Sequence, residues 1–139
     1  LESRKKDYPH VENVSFEDLI SKSDIISFHC KAPKDGKPMI TKEHYKKMKT
    51  TSYIINAARG NIVDEKDLNE ALNENLIAGA ALDVFSKEPA KENILFNNPK
   101  AILTPHIAAS TTEASIVVAE MVANQISDFL LKGTKLNTV

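Results

Sequence analysis

A chain of 139 residues, 42% of them hydrophobic, can bury one core, which sets the expectation of a single domain. A net charge of −1 supplies no basic surface for a nucleic acid or an anionic membrane, and Cys30, the one cysteine, rules out an internal disulfide and fits a reducing cytosol. The apolar stretches read as too short to cross a bilayer and no charged-then-apolar leader opens the sequence, so no membrane partner is expected.

Strands and helices alternate along the chain, with no repeat or low-complexity tract. Ser15 followed by Asp18 reads as a helix start, and residues 24–29, with Ile25, Ile26 and Phe28, as a buried strand. Two prolines and a glycine make 31–38 a loop. Thr41 caps a short helix reaching Lys49, 52–56 forms the next strand, and Asp64 caps a helix that runs to Glu74. Residues 77–84 form the third strand, where Ala78, Gly79, Ala80 and Ala81 point to close packing against backbone or ligand. A proline-bounded loop leads to the strand 101–104. Ser110 and Glu113 make a capping-box pattern that opens the longest helix, 110–133, whose apolar residues from Ala114 to Leu130 keep helical spacing until Gly133 closes it. Strands joined through helices pair in parallel with right-handed crossovers, so the fold class is α/β, a doubly wound parallel sheet.

Three residues stand out because each follows an apolar run beside a Gly or Pro. They are Arg59 in Asn56-Ala57-Ala58-Arg59-Gly60, Glu88 in Asp83-Val84-Phe85-Ser86-Lys87-Glu88-Pro89, and His106 in Thr104-Pro105-His106. Ligands bind just past the carboxyl ends of strands in an open α/β sheet, so three strands offer a guanidinium, a carboxylate and an imidazole to one crevice. Arg grips a carboxylate with a bidentate fork, His moves a proton near neutral pH, and a neighbouring Glu orients the imidazole and stabilises its charged form. Taken singly, the arginine reads as a solvated loop residue and the histidine as a surface group; the three ordered motifs reverse those odds. His10 and His44 read as surface residues, His29 as a packed or site-flanking histidine, and Lys46, Lys47 and Lys49 as a solvated helix face. Cys30 reads as a small buried hydrophobe. No metal site is expected.

Read as whole segments, these stretches resemble the D-isomer-specific 2-hydroxyacid dehydrogenases, which include phosphoglycerate dehydrogenase and the glyoxylate/hydroxypyruvate reductases. The resemblance runs from Phe16 almost to the C-terminus. It covers Ser23-Asp24-Ile25-Ile26-Ser27-Phe28-His29, Ile54-Ile55-Asn56-Ala57-Ala58-Arg59-Gly60-Asn61-Ile62-Val63-Asp64, Ala78-Gly79-Ala80-Ala81-Leu82-Asp83-Val84-Phe85 with Glu88-Pro89, and Leu103-Thr104-Pro105-His106-Ile107-Ala108-Ala109-Ser110-Thr111. It implies a Rossmann-like NAD-binding domain, NAD as cofactor, a small 2-hydroxy or 2-oxo acid as substrate, a cytoplasmic location and a homo-oligomer, dimer or tetramer. By the same resemblance Arg59 grips the substrate carboxylate, His106 is the acid/base and Glu88 its partner. Asp83 sits at the nicotinamide, while Cys30, Ala57, Ala58, Arg59, His106, Ala108 and Ala109 line the cofactor.

The glycines are Gly36, Gly60, Gly79 and Gly133, so the chain has no G-x-G-x-x-G phosphate-binding turn. With the polar opening Glu2-Ser3-Arg4-Lys5-Lys6-Asp7, this sets the expectation that residues 1–139 are the C-terminal part of a dinucleotide-binding domain, and that helix 110–133 crosses to a substrate domain outside the chain. Two departures from the family pattern stand beside the matches. Ala108-Ala109 replaces a pair that usually contains glycine, which would be costly where φ is positive. Pro33 comes later after His29 than the family proline. The stretch Lys34-Asp35-Gly36-Lys37-Pro38 and the ending Lys135-Leu136-Asn137-Thr138-Val139 look most like the phosphoglycerate dehydrogenases, enzymes of serine biosynthesis. Glyoxylate/hydroxypyruvate and D-lactate-type reductases remain alternatives, as does, in another class, a noncatalytic NAD(H)-sensing protein like the dehydrogenase-related corepressors.

Overall fold

The structure is a computed structural model that describes residues 8–136. The polar opening 2–7 and residues 137–139 of the ending lie outside the described residues. The chain divides into two compact units, Leu1–Pro105 and His106–Val139, and the buried hydrophobic cluster lies in the first, in keeping with the one core that composition implies.

The first unit starts with helix α1 (Phe16–Lys22), where the Ser15 hydroxyl accepts the Asp18 N–H as the sequence implies. Strands β1 (Ile25–Phe28), β2 (Tyr53–Asn56), β3 (Gly79–Leu82) and β4 (Ala101–Leu103) then form one parallel sheet in the order β1-β2-β3-β4. Ser27, Ile55, Ala81 and Ile102 lie in one row across the four strands, and Phe28, Asn56, Leu82 and Leu103 in the next. Because side chains alternate faces, Ile26, Phe28, Ile54, Ala80 and Leu82 are buried on one side with Ile20, Ile40, Tyr45, Leu68 and Leu72. Ile25, Tyr53, Ile55 and Ile102 on the other side are exposed, Ile102 by 71%.

That asymmetry follows from topology. Right-handed crossovers that step in a single direction along a sheet put every connection on the same face. The described strands all step one way, so they make up one wing of a doubly wound, Rossmann-like sheet. Helix α2 (Lys42–Tyr45) is shorter than the expected segment, and helix α3 (Glu65–Asn73) is capped by Asp64, whose side chain accepts the Lys66 and Asp67 N–H groups at 2.9 Å. The two helices are clipped together: the Lys42 N–H donates to Asp67 (2.8 Å), and its ammonium donates to Glu70 (3.0 Å) and Glu74 (2.7 Å). Hydrogen bonding to Lys42 holds the Glu70 carboxyl below the usual glutamate range. The small residues of β3 pack as expected at Gly79, where a Cβ would stand 3.0 Å from the Tyr53 ring and 3.1 Å from the Lys100 carbonyl.

One smaller expectation changes, one holds, and one turn is new. His44 is not simply a surface residue: its Nδ1 accepts the Thr41 N–H at 3.1 Å and closes the start of α2, with its ring edge-on to Phe16. Lys46, Lys47 and Lys49 do lie on the surface, paired with Glu43, Glu17 and Asp24. A 3-10 turn (Gly60–Ile62) that the sequence pattern did not signal precedes α3.

The second unit is dominated by helix α4 (Thr112–Lys132). Its cap is Thr111, which accepts the Ala114 N–H at 3.1 Å, rather than Ser110, whose N–H instead closes a turn onto the Ile107 carbonyl. Two adjacent hydroxyl residues make a one-residue slip of this kind easy. Gly133 ends the helix in the left-handed region at φ 66°, as expected. The expectation that the apolar stretches are too short to span a bilayer is overturned for α4, which by length and composition alone is long and apolar enough.

Candidate active site

The candidate residues of the first unit gather at the carboxyl edge of the sheet, and the first to consider is a buried amide. β2 ends at Asn56, which period-two alternation carries to the core side, where it is fully buried. A buried amide must find partners. Its Nδ2 donates to the Arg59 carbonyl at 2.9 Å and its Oδ1 accepts the Ala58 N–H at 3.1 Å. Both bonds reach into the turn that follows, so the Asn56 side chain acts as a template for residues 57–59. Arg59 emerges from that turn in an extended conformation, exposed, with Nη1 donating to the Ala58 carbonyl at 2.6 Å.

Gly60 then makes the closest approach at this edge. A Cβ there would lie 1.9 Å from the Phe85 carbonyl oxygen, 2.0 Å from its carbon and 2.5 Å from the Ser86 nitrogen. Only a glycine allows the Arg59 turn to rest directly on the backbone after β3. The same backbone carries Glu88, whose Oε1 accepts the Phe85 N–H at 2.9 Å. Thus the guanidinium turn and the carboxylate loop are seated on each other through main-chain atoms.

Asp83 directly follows β3 and is buried, only 6% exposed. Its N–H donates to the Asn56 carbonyl at 2.9 Å, and its Oδ1 accepts the Thr104 hydroxyl at 2.5 Å, tying the ends of β2, β3 and β4. Charge-assisted hydroxyl donation of this kind is short and strong. His106 opens the second unit in a left-handed conformation at φ 55°, which costs a non-glycine residue about 1–2 kcal/mol and is the kind of backbone found at functional positions.

The remaining candidates divide. Ala57 is exposed and Ala58 is half-buried against the core. Cys30, expected as a small buried hydrophobe, is instead exposed, with its Sγ 3.8 Å from the Met39 sulfur. His29 is exposed beside Ser27, its Nε2 2.9 Å from the hydroxyl oxygen. The positive φ suspected at Ala108-Ala109 falls on His106 instead, so the alanines carry no such cost. Sequence reading missed Asn56 and Gly60 as architects of this edge. For Asn56 a signal existed, since it stands two residues after Ile54, at a core-facing position that an apolar residue would ordinarily fill.

The description "D-isomer specific 2-hydroxyacid dehydrogenase, NAD binding domain" fits a family model that matches residues 2–108. The chain therefore belongs to this family, and NAD is the family's cofactor. It is 43% identical over 119 residues to the D-3-phosphoglycerate dehydrogenase of Bacillus subtilis, covering 86% of this chain and 23% of that protein. It is 44% identical over 128 residues to the glyoxylate reductase of Thermofilum pendens, covering 90% of this chain and 37% of that protein. Among solved structures, the D-lactate dehydrogenase with NAD+ from Lactobacillus jensenii superposes with a TM-score of 0.78 at 28% identity, covering 96% of this chain and 44% of that one. The chain thus spans less than half the length of each of these proteins.

The donor set at the sheet edge suits one end of that cofactor. A buried carboxylate with a hydroxyl beside it, at the ends of β3 and β4, accepts amide N–H groups such as those of a carboxamide. Nothing in the sequence supplies the glycine turn that a pyrophosphate requires.

Proposed function

We propose that this chain carries the catalytic residues of an NAD-dependent D-2-hydroxyacid dehydrogenase. Residues 1–139 supply the C-terminal part of its cofactor domain, and helix 110–133 crosses to a substrate domain. The observation that carries the reading is the seating of Gly60 on the Phe85 backbone, which holds the Arg59 turn against the loop that bears Glu88.

Arg59 grips the substrate carboxylate and C2 oxygen through its planar fork, a geometry that a lysine point charge does not match. His106 accepts the C2 hydroxyl proton in the oxidation and returns it in the reduction. Glu88 accepts a hydrogen bond from the other imidazole nitrogen, fixing the tautomer and favouring the charged form. Asp83 serves the nicotinamide end of the cofactor, while Cys30, Ala57, Ala58, Ala108 and Ala109 line it. When bound, NAD supplies the hydride acceptor at its nicotinamide ring.

The substrate we assign is D-3-phosphoglycerate. It is supported by Lys34-Asp35-Gly36-Lys37-Pro38, which resembles phosphoglycerate dehydrogenases, and by relatives of that name at 43–46% identity. A homo-oligomer in the cytoplasm goes with this assignment. The test is a comparison of kcat/KM for D-3-phosphoglycerate, D-glycerate and D-lactate in the full-length protein, alongside His106→Asn. We expect D-3-phosphoglycerate to lead, and His106→Asn to cut turnover by roughly two to four orders of magnitude with NADH affinity nearly unchanged. A lead for D-glycerate would move the assignment to the glyoxylate/hydroxypyruvate reductases. NADH binding without turnover of any 2-hydroxy acid would move it to a sensor.

A further inference from the structure

Glu65, the first residue of α3, reaches 21 and 28 residues along the chain with one carboxylate. Its Oε1 accepts the Ser86 N–H at 2.6 Å, and its Oε2 accepts the Ser86 hydroxyl at 3.0 Å and the Asn93 amide at 2.8 Å. Ser86 and Asn93 bracket the loop that carries Glu88, and the Phe85 N–H beside Ser86 is the group that Glu88 itself accepts. Residues 86–93 form neither helix nor strand. A loop without ladder bonds keeps one conformation only if other groups satisfy its backbone. One of three bonds from a half-buried carboxylate does so at Ser86, the other two tether the Ser86 hydroxyl and the Asn93 side-chain amide at the two stems, and bonds to a charged acceptor are worth more than neutral ones.

We propose that Glu65 is a positioning residue for Glu88, acting through Ser86 and Asn93 to hold the loop that carries it. The proposal rests on the reading of Glu88 given above. Reduction needs protonated His106, so its kcat/KM falls as pH rises through the imidazole pKa. On the reading proposed above, Glu88 favours the protonated imidazole, and a loosened loop weakens that preference.

The experiment measures kcat/KM for 2-oxo acid reduction against pH in the full-length protein, for wild type, Glu65→Ala, Glu88→Gln and the double variant. Both single variants should move the midpoint of the fall to lower pH, Glu65→Ala by about half a unit or more. The double variant should match Glu88→Gln alone, because one residue acts through the other. A wild-type midpoint in Glu65→Ala, or an equal further shift on top of Glu88→Gln, overturns the positioning role. A wild-type midpoint in Glu88→Gln overturns the reading of Glu88 and the proposal with it. Should Glu65→Ala fail to fold, Asn93→Ala removes one stem anchor with the carboxylate kept, and must lower the midpoint in the same direction.

Discussion

The residue that most constrains the candidate site has no side chain. At Gly60 the atoms that an added Cβ would strike belong to the Phe85 and Ser86 backbone, which cannot swing aside as a side-chain end would. Gly60→Ala should therefore push the Arg59 turn off the Glu88 loop, at a cost of about 1–3 kcal/mol in folding stability. Chemical denaturation checks this, and an unchanged midpoint would show that the turn has room to move. Arg59 and Glu88 are legible in the sequence because chemistry-bearing residues just past short apolar runs mark strand ends. Glu65 is not, because its meaning lies in partners 21 and 28 residues away that no local pattern announces.

Among the elements, the clip between α2 and α3 gives a pH-dependent contribution whose sign can be worked out. The Glu70 carboxyl is lowered from the ordinary 4.5 chiefly by its hydrogen bond to Lys42. A depressed acid stabilises the fold above its unfolded value, and the contribution is lost as pH falls through the folded one. Lys42→Met should thus lower stability at neutral pH and flatten its decline below pH 4.5, with a small effect because the pair is partly exposed. Thermal melts at pH 7 and pH 3 test it: an equal loss at both would assign the effect to packing. The element boundaries show which signals are robust. Ser15, Asp64 and Gly133 cap helices where their chemistry says, because each has one geometric role to fill. The cap of α4 slips from Ser110 to Thr111 because the two hydroxyls are interchangeable to local rules, and only the helix start decides between them. The turn Gly60–Ile62 escapes those rules because the Phe85 backbone, a tertiary neighbour, shapes it.

For the whole molecule, the exposed face of Ile25, Tyr53, Ile55 and Ile102 and the missing glycine turn point the same way. A parallel sheet is ordinarily covered on both faces, and a dinucleotide needs its phosphates cradled. The 139-residue polypeptide taken alone should therefore show no saturable NADH binding at micromolar concentration in calorimetry, and clear binding there would prove that the glycine turn is dispensable. The one core that composition implies lies wholly in the first unit, while the apolar residues of α4 lie exposed in a separate unit, which an average over the chain cannot see.

The one-sided sheet also equips the molecule with two built-in indicators. Tyr53 stands on the exposed face with half its surface accessible, whereas Tyr45 is fully buried under the opposite one, its hydroxyl without a protein hydrogen-bond partner among the described residues. Burial, and then the charges of Asp67 and Asp64, push the Tyr45 phenol well above its ordinary range. A phenol-directed nitrating reagent would consequently mark Tyr53 while the sheet is bare and spare it once another polypeptide lies across that face. Tyr45 would take the label only when the core opens, so occupancy and unfolding leave separate chemical signatures on one chain.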